Sequence, residues 1–281
     1  MDADCHARET PRCRVSVAAA ALMPGAATRP LQSLPQLVSS SPGNPLVNFS
    51  PAAVPATWSI SGSVASWPHA DGGGQIDVAA AGCGLEIQAA SGGHDTVLGV
   101  NLSSLTDHWL RGADLVATYE PEDPRRLRST VMWRSHGRHE GITSWEVVVS
   151  AQTSLLETEV AVEVWSDIAA DSLLWLSGGN APCWRPIASN ETLPESAAAI
   201  LARRAGSSCL VAVHPADARR IDFEHSAGRY RVTCRLFAAP LEKGVLLRSR
   251  VVAAIGPGTN DEAWADRVLQ AFAASPPPLT T

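Results

Sequence analysis

Three successive stretches of the chain carry apolar residues at every second position, and this alternation restricts the fold more than any other feature. A period of two marks a β-strand with one buried face, because successive side chains of a strand point to opposite sides. The stretch 129–166 therefore predicts three strands that direct one apolar side to a common core. The alternating residues are Val131 and Trp133, then Trp145, Val147 and Val149, and then Val160, Val162 and Val164.

The connections between these strands predict how they pair. A turn centred near His139 would place Trp133 opposite Trp145, so that both indoles are buried together. We expect the three strands to follow one another in a single sheet, as a meander. In that sheet a second turn, centred between Ser154 and Leu155, would place Trp145 opposite Val164 and Val147 opposite Val162.

Alternation recurs from residue 57 onward, with turn residues between the runs. Since each apolar sheet face must be covered by another layer, many short strands with little helix predict two packed sheets. The predicted fold class is all-β, an antiparallel β-sandwich. The candidate strands are 57–64, 75–81, 84–90, 96–101, 113–120, 129–135, 144–151, 158–166, 172–177, 208–214, 219–223, 230–237 and 245–254.

Helix signals are few. Thr259 and Glu262 form a capping-box pattern, which predicts an amphipathic C-terminal helix that ends before the prolines at 276–278. A weaker pattern predicts a helix at 195–204. The predicted organisation is an irregular extension rich in proline and serine at 1–56, a β-sandwich domain at 57–273 and a disordered tail at 274–281.

Charge and cysteine content restrict the partners. The net charge of −6 and pI near 5.7 provide no basic field, so that neither nucleic acid nor an anionic membrane is an expected partner. No stretch approaches the roughly 20 apolar residues of a membrane-spanning helix. The six cysteines contain no CxxC pair, and we expect Cys209 and Cys234 to be small buried groups. No metal and no cofactor is predicted.

The N-terminal residues are compatible with two cellular locations of the protein. Arg12 and Arg14 precede an apolar run at 15–23, which resembles a weak signal peptide. Asp2 and Asp4 are unusual in such a leader. The sequence favours a cytoplasmic protein with a disordered or misassigned start and leaves export as the alternative.

The polar face of the predicted meander is the candidate site. Under the registers above, Glu146 and Glu163 oppose each other, and Arg134 compensates their charge. Close carboxylates can divide acid and base roles, and an exposed indole can pack on a sugar ring. The candidate catalytic residues are Glu146, Glu163, His136 and His139, and the candidate ligand-binding residues are Arg134, Trp165 and Glu159. The alternative is a solvated face with ion pairs.

Arginines form a second candidate. The polar sides of two strands joined near residues 241–244 carry arginines that could bind a small anionic ligand or pair with neighbouring acidic residues. They are Arg229, Arg231, Arg235, Arg248 and Arg250.

Three segments carry a resemblance to a known family. They run from Arg111 to Glu120, from Met132 to Arg134 and from Gln152 to Glu157. These segments resemble an uncharacterised family of hypothetical bacterial proteins found in planctomycetes, over about residues 100–166. No activity is known for that family, so the resemblance implies no catalytic residue. The strand pattern is also similar to the supersandwich of mutarotase-like proteins, which is an analogy of fold.

Three functions remain as hypotheses. The first is a non-catalytic β-sandwich that binds a ligand, with carbohydrate as the ligand best suited to its tryptophans. The second is a carbohydrate-active enzyme of the epimerase, mutarotase or lyase type, which would need the carboxylates and a histidine to converge in a pocket. The third is a structural or regulatory protein, which a closed outer face would favour.

Overall fold

The computed structural model describes residues 57–67, 73–88, 94–123, 127–177, 182–188, 192–217, 219–237 and 240–276. The chain divides into two units, Met1–Pro45 and Leu46–Thr281, and every described residue belongs to the second. The predicted extension at 1–56 lies outside the described residues.

Within these ranges the backbone is mostly strand. The strands are β1 (Ser59–Ser61), β2 (Val64–Trp67), β3 (Gly74–Asp77), β4 (Leu85–Gln88), β5 (His94–Val100), β6 (Ser104–Arg111), β7 (Asp114–Glu120), β8 (Arg128–His139), β9 (Ile142–Gln152), β10 (Glu157–Thr158), β11 (Val162–Ala169), β12 (Ser172–Leu176), β13 (Trp184–Pro186), β14 (Ala199–Arg204), β15 (Ser207–Val213), β16 (Arg219–Ser226), β17 (Arg229–Leu236), β18 (Leu241–Glu242) and β19 (Leu246–Pro257). A 3₁₀ helix occupies Val78–Cys83, and helix α1 occupies Asp261–Ala274.

Two large antiparallel sheets confirm the predicted all-β sandwich. One has eight strands in the order β1-β2-β3-β4-β5-β11-β17-β16. The other has nine strands in the order β13-β12-β14-β15-β19-β9-β8-β7-β6. Strands β10 and β18 form a separate two-stranded pair. We call the large sheets the eight-stranded and the nine-stranded sheet.

One hydrophobic core lies between the two large sheets, and several contacts cross it. The rings of Trp67 on β2 and Trp145 on β9 are 5.1 Å apart. Trp133 Nε1 on β8 donates a hydrogen bond of 3.2 Å to the carbonyl of Leu98 on β5. Large aromatic side chains of each sheet therefore pack against the opposite sheet, and the indole N–H of Trp133 has its hydrogen-bond acceptor there.

Helix α1 packs on the outer face of the nine-stranded sheet. Trp264 and Phe272 are each 2% exposed and contact apolar residues of β14, β15 and β19, such as Leu201 and Leu210. Parts of these strands, 199–202, 209–213 and 251–254, are buried on both faces. They are therefore continuously apolar and lack the alternation that marks a half-buried strand. For this reason the helix predicted at 195–204 is wrong, and that segment contains β14.

The start of helix α1 differs from its predicted capping box. The N-cap is Asn260 in the left-handed conformation, with no side-chain capping hydrogen bond. Asp261 in the first turn accepts a hydrogen bond of 2.9 Å from the backbone N of Glu262. The helix itself is confirmed, although Thr259 does not cap it.

Strands β8 and β9 form the predicted hairpin in a shifted register. Trp133 pairs with Val147, and Trp145 pairs with Ser135. The turn lies at Glu140 and Gly141, both with positive φ, and a bulge near residue 136 absorbs one residue. The predicted pairing of Trp133 with Trp145 is therefore wrong, yet both indoles are buried in the core, at 1% and 2% exposed.

The third strand of the predicted meander lies in the other sheet. Strand β9 pairs with β8 and β19, whereas β11 pairs with β5 and β17. The predicted pairs of β9 with Val162 and Val164 are therefore wrong. The connection between these strands contains β10, which pairs with β18 instead of closing a tight turn. The alternation of apolar residues determines which side of β11 is buried, but not which sheet contains β11. The same side chains reach the core from either sheet.

Candidate functional site

The residues predicted to form one site are divided between the outer faces of the two sheets. Glu146, Arg134 and His136 belong to the nine-stranded sheet, and Glu163 and Trp165 belong to the eight-stranded sheet. The hydrophobic core lies between these sheets. The predicted opposed pair of Glu146 and Glu163 is therefore wrong, because it depended on β9 and β11 being neighbours.

Glu146 is enclosed between Arg250 and His136 and is 1% exposed. Its Oε1 accepts a hydrogen bond of 2.5 Å from Arg250 Nε, and its Oε2 lies 3.2 Å from His136 Nε2. Burial by itself would raise the pKa of Glu146, but the hydrogen bonds from His136 and Arg250 hold this pKa below its usual value. The structure thus brings together Glu146 and His136 of the predicted catalytic set.

Arg250 extends this cluster to the end of helix α1. Its Nη1 and Nη2 donate hydrogen bonds to the carbonyl and hydroxyl of Ser275, at 2.9 and 2.7 Å. The guanidinium also lies 4.9 Å from the ring centroid of Phe272. A cation at a helix C-terminus is stabilised by the helix dipole. The Glu146–Arg250 pair therefore fastens α1 to the sheet, and both carboxylate oxygens of Glu146 are already occupied.

Arg134 does not have the predicted role of neutralising two glutamates. It faces Glu146 across the β8–β9 pair, but its guanidinium makes two hydrogen bonds to Asp114, of 2.7 and 2.9 Å. The hydrogen bonds with Asp114 raise the pKa of Arg134. Asp114 lies on the neighbouring strand β7, which the sequence pattern did not place beside β8.

Trp165 lies on the outer face of the eight-stranded sheet, against the backbone of Gly99. A Cβ atom at Gly99 would lie 2.7 Å from Trp165 Cε2, so only glycine allows the indole this position. Arg231 stacks on the indole, with its guanidinium carbon 4.4 Å from the ring centroid. Glu163 lies on the same face and pairs with Arg235 at 2.8 Å.

Ion pairs join the arginines of β17 to acidic residues of the neighbouring strands. Arg235 contacts Asp222 at 2.7 Å, and Arg231 contacts Asp167 at 3.5 Å. Arg229 also pairs with Asp167. The predicted arginine cluster is wrong in one respect, because Arg248 and Arg250 lie on β19 in the other sheet.

The remaining predicted site residues occupy separate places. His139 is exposed at the tip of the β8–β9 hairpin, and Glu159 is exposed between β10 and β11. The first belongs to the nine-stranded sheet, and the second lies on the connection to the eight-stranded sheet.

A depression of about 470 Å³ opens at one end of the eight-stranded sheet. Four of its lining residues form one row across four strands, where Ser59 pairs with Ser66, Ser66 with Gln75, and Gln75 with Glu86. Gln75 Nε2 donates a hydrogen bond of 2.8 Å to Glu86, and the hydroxyl groups of Ser59 and Ser66 are 3.0 Å apart. We call these four residues the polar row.

The walls of the depression include Trp67, Gly73, Gly74 and His94. A Cβ atom at Gly74 would lie 2.0 Å from Trp67 Cζ3, so the indole is packed directly on this glycine. The sequence shows a run of three glycines at 72–74, which is typical of a flexible turn. The one sequence signal for the depression was the alternation of polar and apolar residues along β1 to β4, which cannot indicate a concave surface.

Neither a metal centre nor a membrane span is found in the described ranges. No group of three or more His, Cys, Asp or Glu residues there could hold a metal ion. None of the helices in those same ranges is long and apolar enough to cross a membrane. The thiols of Cys209 and Cys234 are buried as expected, and burial raises the pKa of Cys234 to about 12.

Comparisons with known proteins place the chain in no family. No family model and no curated protein matches it. Among solved structures, a heparinase III is similar over 56% of this chain, with 8% sequence identity and a TM-score of 0.30. The matching part makes up 23% of the length of that heparinase chain. The class that the fold and the outer face define is an antiparallel β-sandwich with a polar depression on one sheet.

Proposed function

We propose that this protein is a binding β-sandwich whose ligand is a carbohydrate, held in the depression on the eight-stranded sheet. The polar row carries the proposal, because it lines a concavity within the size range of small-molecule sites, roughly 300–1,000 Å³. A site lined by hydroxyl, amide and carboxylate groups suits a ligand that both donates and accepts many hydrogen bonds. Sugars have this property.

The polar row continues toward Trp165. Glu86 pairs with Thr96 on β5, and Thr96 pairs with Asp167 on β11, two residues beyond Trp165. Neighbouring strands are ~4.8 Å apart, so this path of side chains crosses the sheet in short steps. A longer sugar chain bound in the depression would therefore extend toward the Trp165–Arg231 pair, in which the guanidinium covers the indole and can donate hydrogen bonds to sugar hydroxyl groups.

The geometry favours binding over the enzyme hypothesis. The acid–base mechanism required Glu146, Glu163 and a histidine in one pocket. Glu146 and His136 are together, but Glu163 lies on the outer face of the other sheet. Glu146 is also buried, and each of its two carboxylate oxygens already has a partner, Arg250 for Oε1 and His136 for Oε2. The depression on the eight-stranded sheet argues likewise against a purely structural protein with a closed face.

A glycan array on the full chain tests the proposal, followed by titration calorimetry with any sugar that binds. We expect Gln75→Ala and Glu86→Gln each to weaken binding about tenfold or more, because each removes groups from the polar row. Thr130→Ala on the outer face of the nine-stranded sheet is the matched control and should bind normally. Failure to bind any glycan, or binding that both row variants leave unchanged, would overturn the proposal.

A further inference from the structure

Strand β6 is the last strand of the nine-stranded sheet among the described residues, and it carries two exposed large apolar side chains. Among the described strands it pairs with β7 alone, at the end of the nine-stranded sheet. Trp109 and Leu110 on this strand are 40% and 37% exposed. Unpaired edges that carry apolar side chains are surfaces on which another strand can be added.

The backbone of β6 has hydrogen-bonding groups directed away from β7. A two-residue turn at 112–113 joins the strands, and the pair Arg111–Asp114 closes it as a hydrogen-bonded pair. Residues of an antiparallel pair alternate between hydrogen-bonded and non-hydrogen-bonded positions. The backbone N–H and C=O groups of Trp109 therefore also point to β7, whereas those of His108 and Leu110 point away from β7. In agreement, the backbone N of His108 donates to its neighbour Asp107 Oδ1 at 2.8 Å instead of to β7.

Trp109 ends an apolar row on the outer face of the sheet. It pairs with Val116, which pairs with Met132, which in turn pairs with Val148. The last three residues form a separate buried cluster, with 5%, 2% and 1% exposure. Trp109 is therefore the member of the row that lies at the sheet edge, and its apolar surface is the part of the row that is substantially exposed.

We propose that β6 pairs with β6 of a second copy of this chain, antiparallel, about a two-fold axis at Trp109. The two indoles then face each other and continue the apolar row from one sheet to the other. His108 of each copy is opposite Leu110 of the other, so the outward backbone groups form hydrogen-bonded pairs. The N–H of His108 exchanges its bond to Asp107 Oδ1 for one to the carbonyl of Leu110 in the other copy, which frees the Asp107 carboxylate. Two nine-stranded sheets join into one continuous sheet.

Charge complementarity favours β6 of a second copy as the strand that pairs with β6, and it favours this register. Asp107 and Arg111 lie on the outer face with Trp109, two residues before and after it. In the proposed register each Asp107 is opposite the Arg111 of the other copy, which forms two symmetric ion pairs. A shift by two residues would place Asp107 opposite Trp109, and a shift by one residue would bring outer-face residues against core-facing ones.

Disulfide trapping tests the register. Residues opposite each other in a non-hydrogen-bonded antiparallel pair have Cα atoms about 4.5 Å apart, which a disulfide can span. Trp109→Cys should therefore form a covalent dimer under mild oxidation, with the bridge between the two substituted positions identified by peptide mass spectrometry. Leu110→Cys is the matched control, because its opposite residue is His108, and it should not form a bridge at the substituted position. Absence of the first bridge, or equal bridging by both variants, would overturn the proposal.

Analytical ultracentrifugation across a dilution series tests the association itself. We expect a reversible dimer of the 29.6 kDa chain. Asp107→Arg should weaken the dimer at least tenfold, and addition of Arg111→Asp should restore it, because the two charges exchange places. Glu157→Arg makes the same charge change on β10 and should have no effect. A chain that stays monomeric throughout, or a dimer that Asp107→Arg leaves unchanged, would overturn the proposal.

Discussion

Arg250 and Glu146 form an ion pair between the neighbouring strands β19 and β9, with only 5% and 1% of their side chains exposed. The pair is buried beneath the end of helix α1, whose C-cap residue Ser275 accepts two further hydrogen bonds from Arg250. Two charges removed from water need good geometry and additional hydrogen bonds to offset their desolvation. Here His136 and Ser275 provide those additional bonds, so the cluster works as one unit.

Breaking this ion pair on one side should be costly. Glu146→Gln leaves the Arg250 guanidinium buried without a counter-charge, and we expect it to lower the free energy of unfolding by about 3–5 kcal/mol. Urea denaturation followed by tryptophan fluorescence measures the change. Glu120→Gln is the matched control, because Glu120 pairs with the half-exposed Arg128 at 3.0 Å, and its loss should cost about 1 kcal/mol or less. Equal losses in both variants would contradict the structural role of the buried pair.

Asp261 should contribute to the loss of stability in acid. Burial by itself would raise the pKa of Asp261, but the hydrogen bonds from Arg203 and Ser208 hold it below its usual value. Because the pKa is lower in the folded state, the contribution is present above the unfolded value of about 3.9 and is lost as the pH falls through the folded-state pKa. Asp261→Asn should therefore be less stable than the natural chain at pH 7, with a difference that shrinks below about pH 4.

Urea midpoints at several pH values measure this effect. Asp171→Asn changes an exposed carboxyl and is the matched control. A stability difference between Asp261→Asn and the natural chain that is the same at all pH values would contradict the prediction.

Gly74 should not accept a larger residue. The added methyl group of Gly74→Ala would overlap the Trp67 ring, which contacts Trp58 and Trp145 in the core. We expect a loss of about 1–3 kcal/mol, since overpacking a filled core forces side chains from their preferred positions. Thermal unfolding measures it. Gly82→Ala meets its nearest atom at 3.9 Å and should stay within about 0.5 kcal/mol of the natural chain, so a similar loss there would argue against the packing explanation.

Much of the fold follows from local patterns. The alternation in β8, β9 and β11 correctly assigned Trp133, Trp145, Val147 and Val164 to the core, because a period of two determines which face is apolar whatever the partner strand. The apolar stripe of helix α1 was equally visible, with Trp264 and Phe272 buried as its spacing predicts. Segments buried on both faces gave no such signal, and β14 was therefore mistaken for a helix.

The composition of the outer faces could not be predicted in the same way. Strand β11 lies in the eight-stranded sheet and not beside β9, so Glu163 is separated from Glu146. Each glutamate still lies on the predicted outer side of its own strand. The depression was missed because its polar row comes from four strands, and each strand contributes one ordinary polar residue.

The sequence by itself determined an all-β chain with one apolar side to most strands and a C-terminal amphipathic helix, because these properties depend on the spacing of neighbouring residues. Only the tertiary structure decided which strands are partners, where helix α1 covers the sheet, and which charges share a buried cluster. Those outcomes depend on pairing between distant segments, such as Arg250 with Glu146. Many pairings satisfy the same alternation, and the packing of the whole core selects among them.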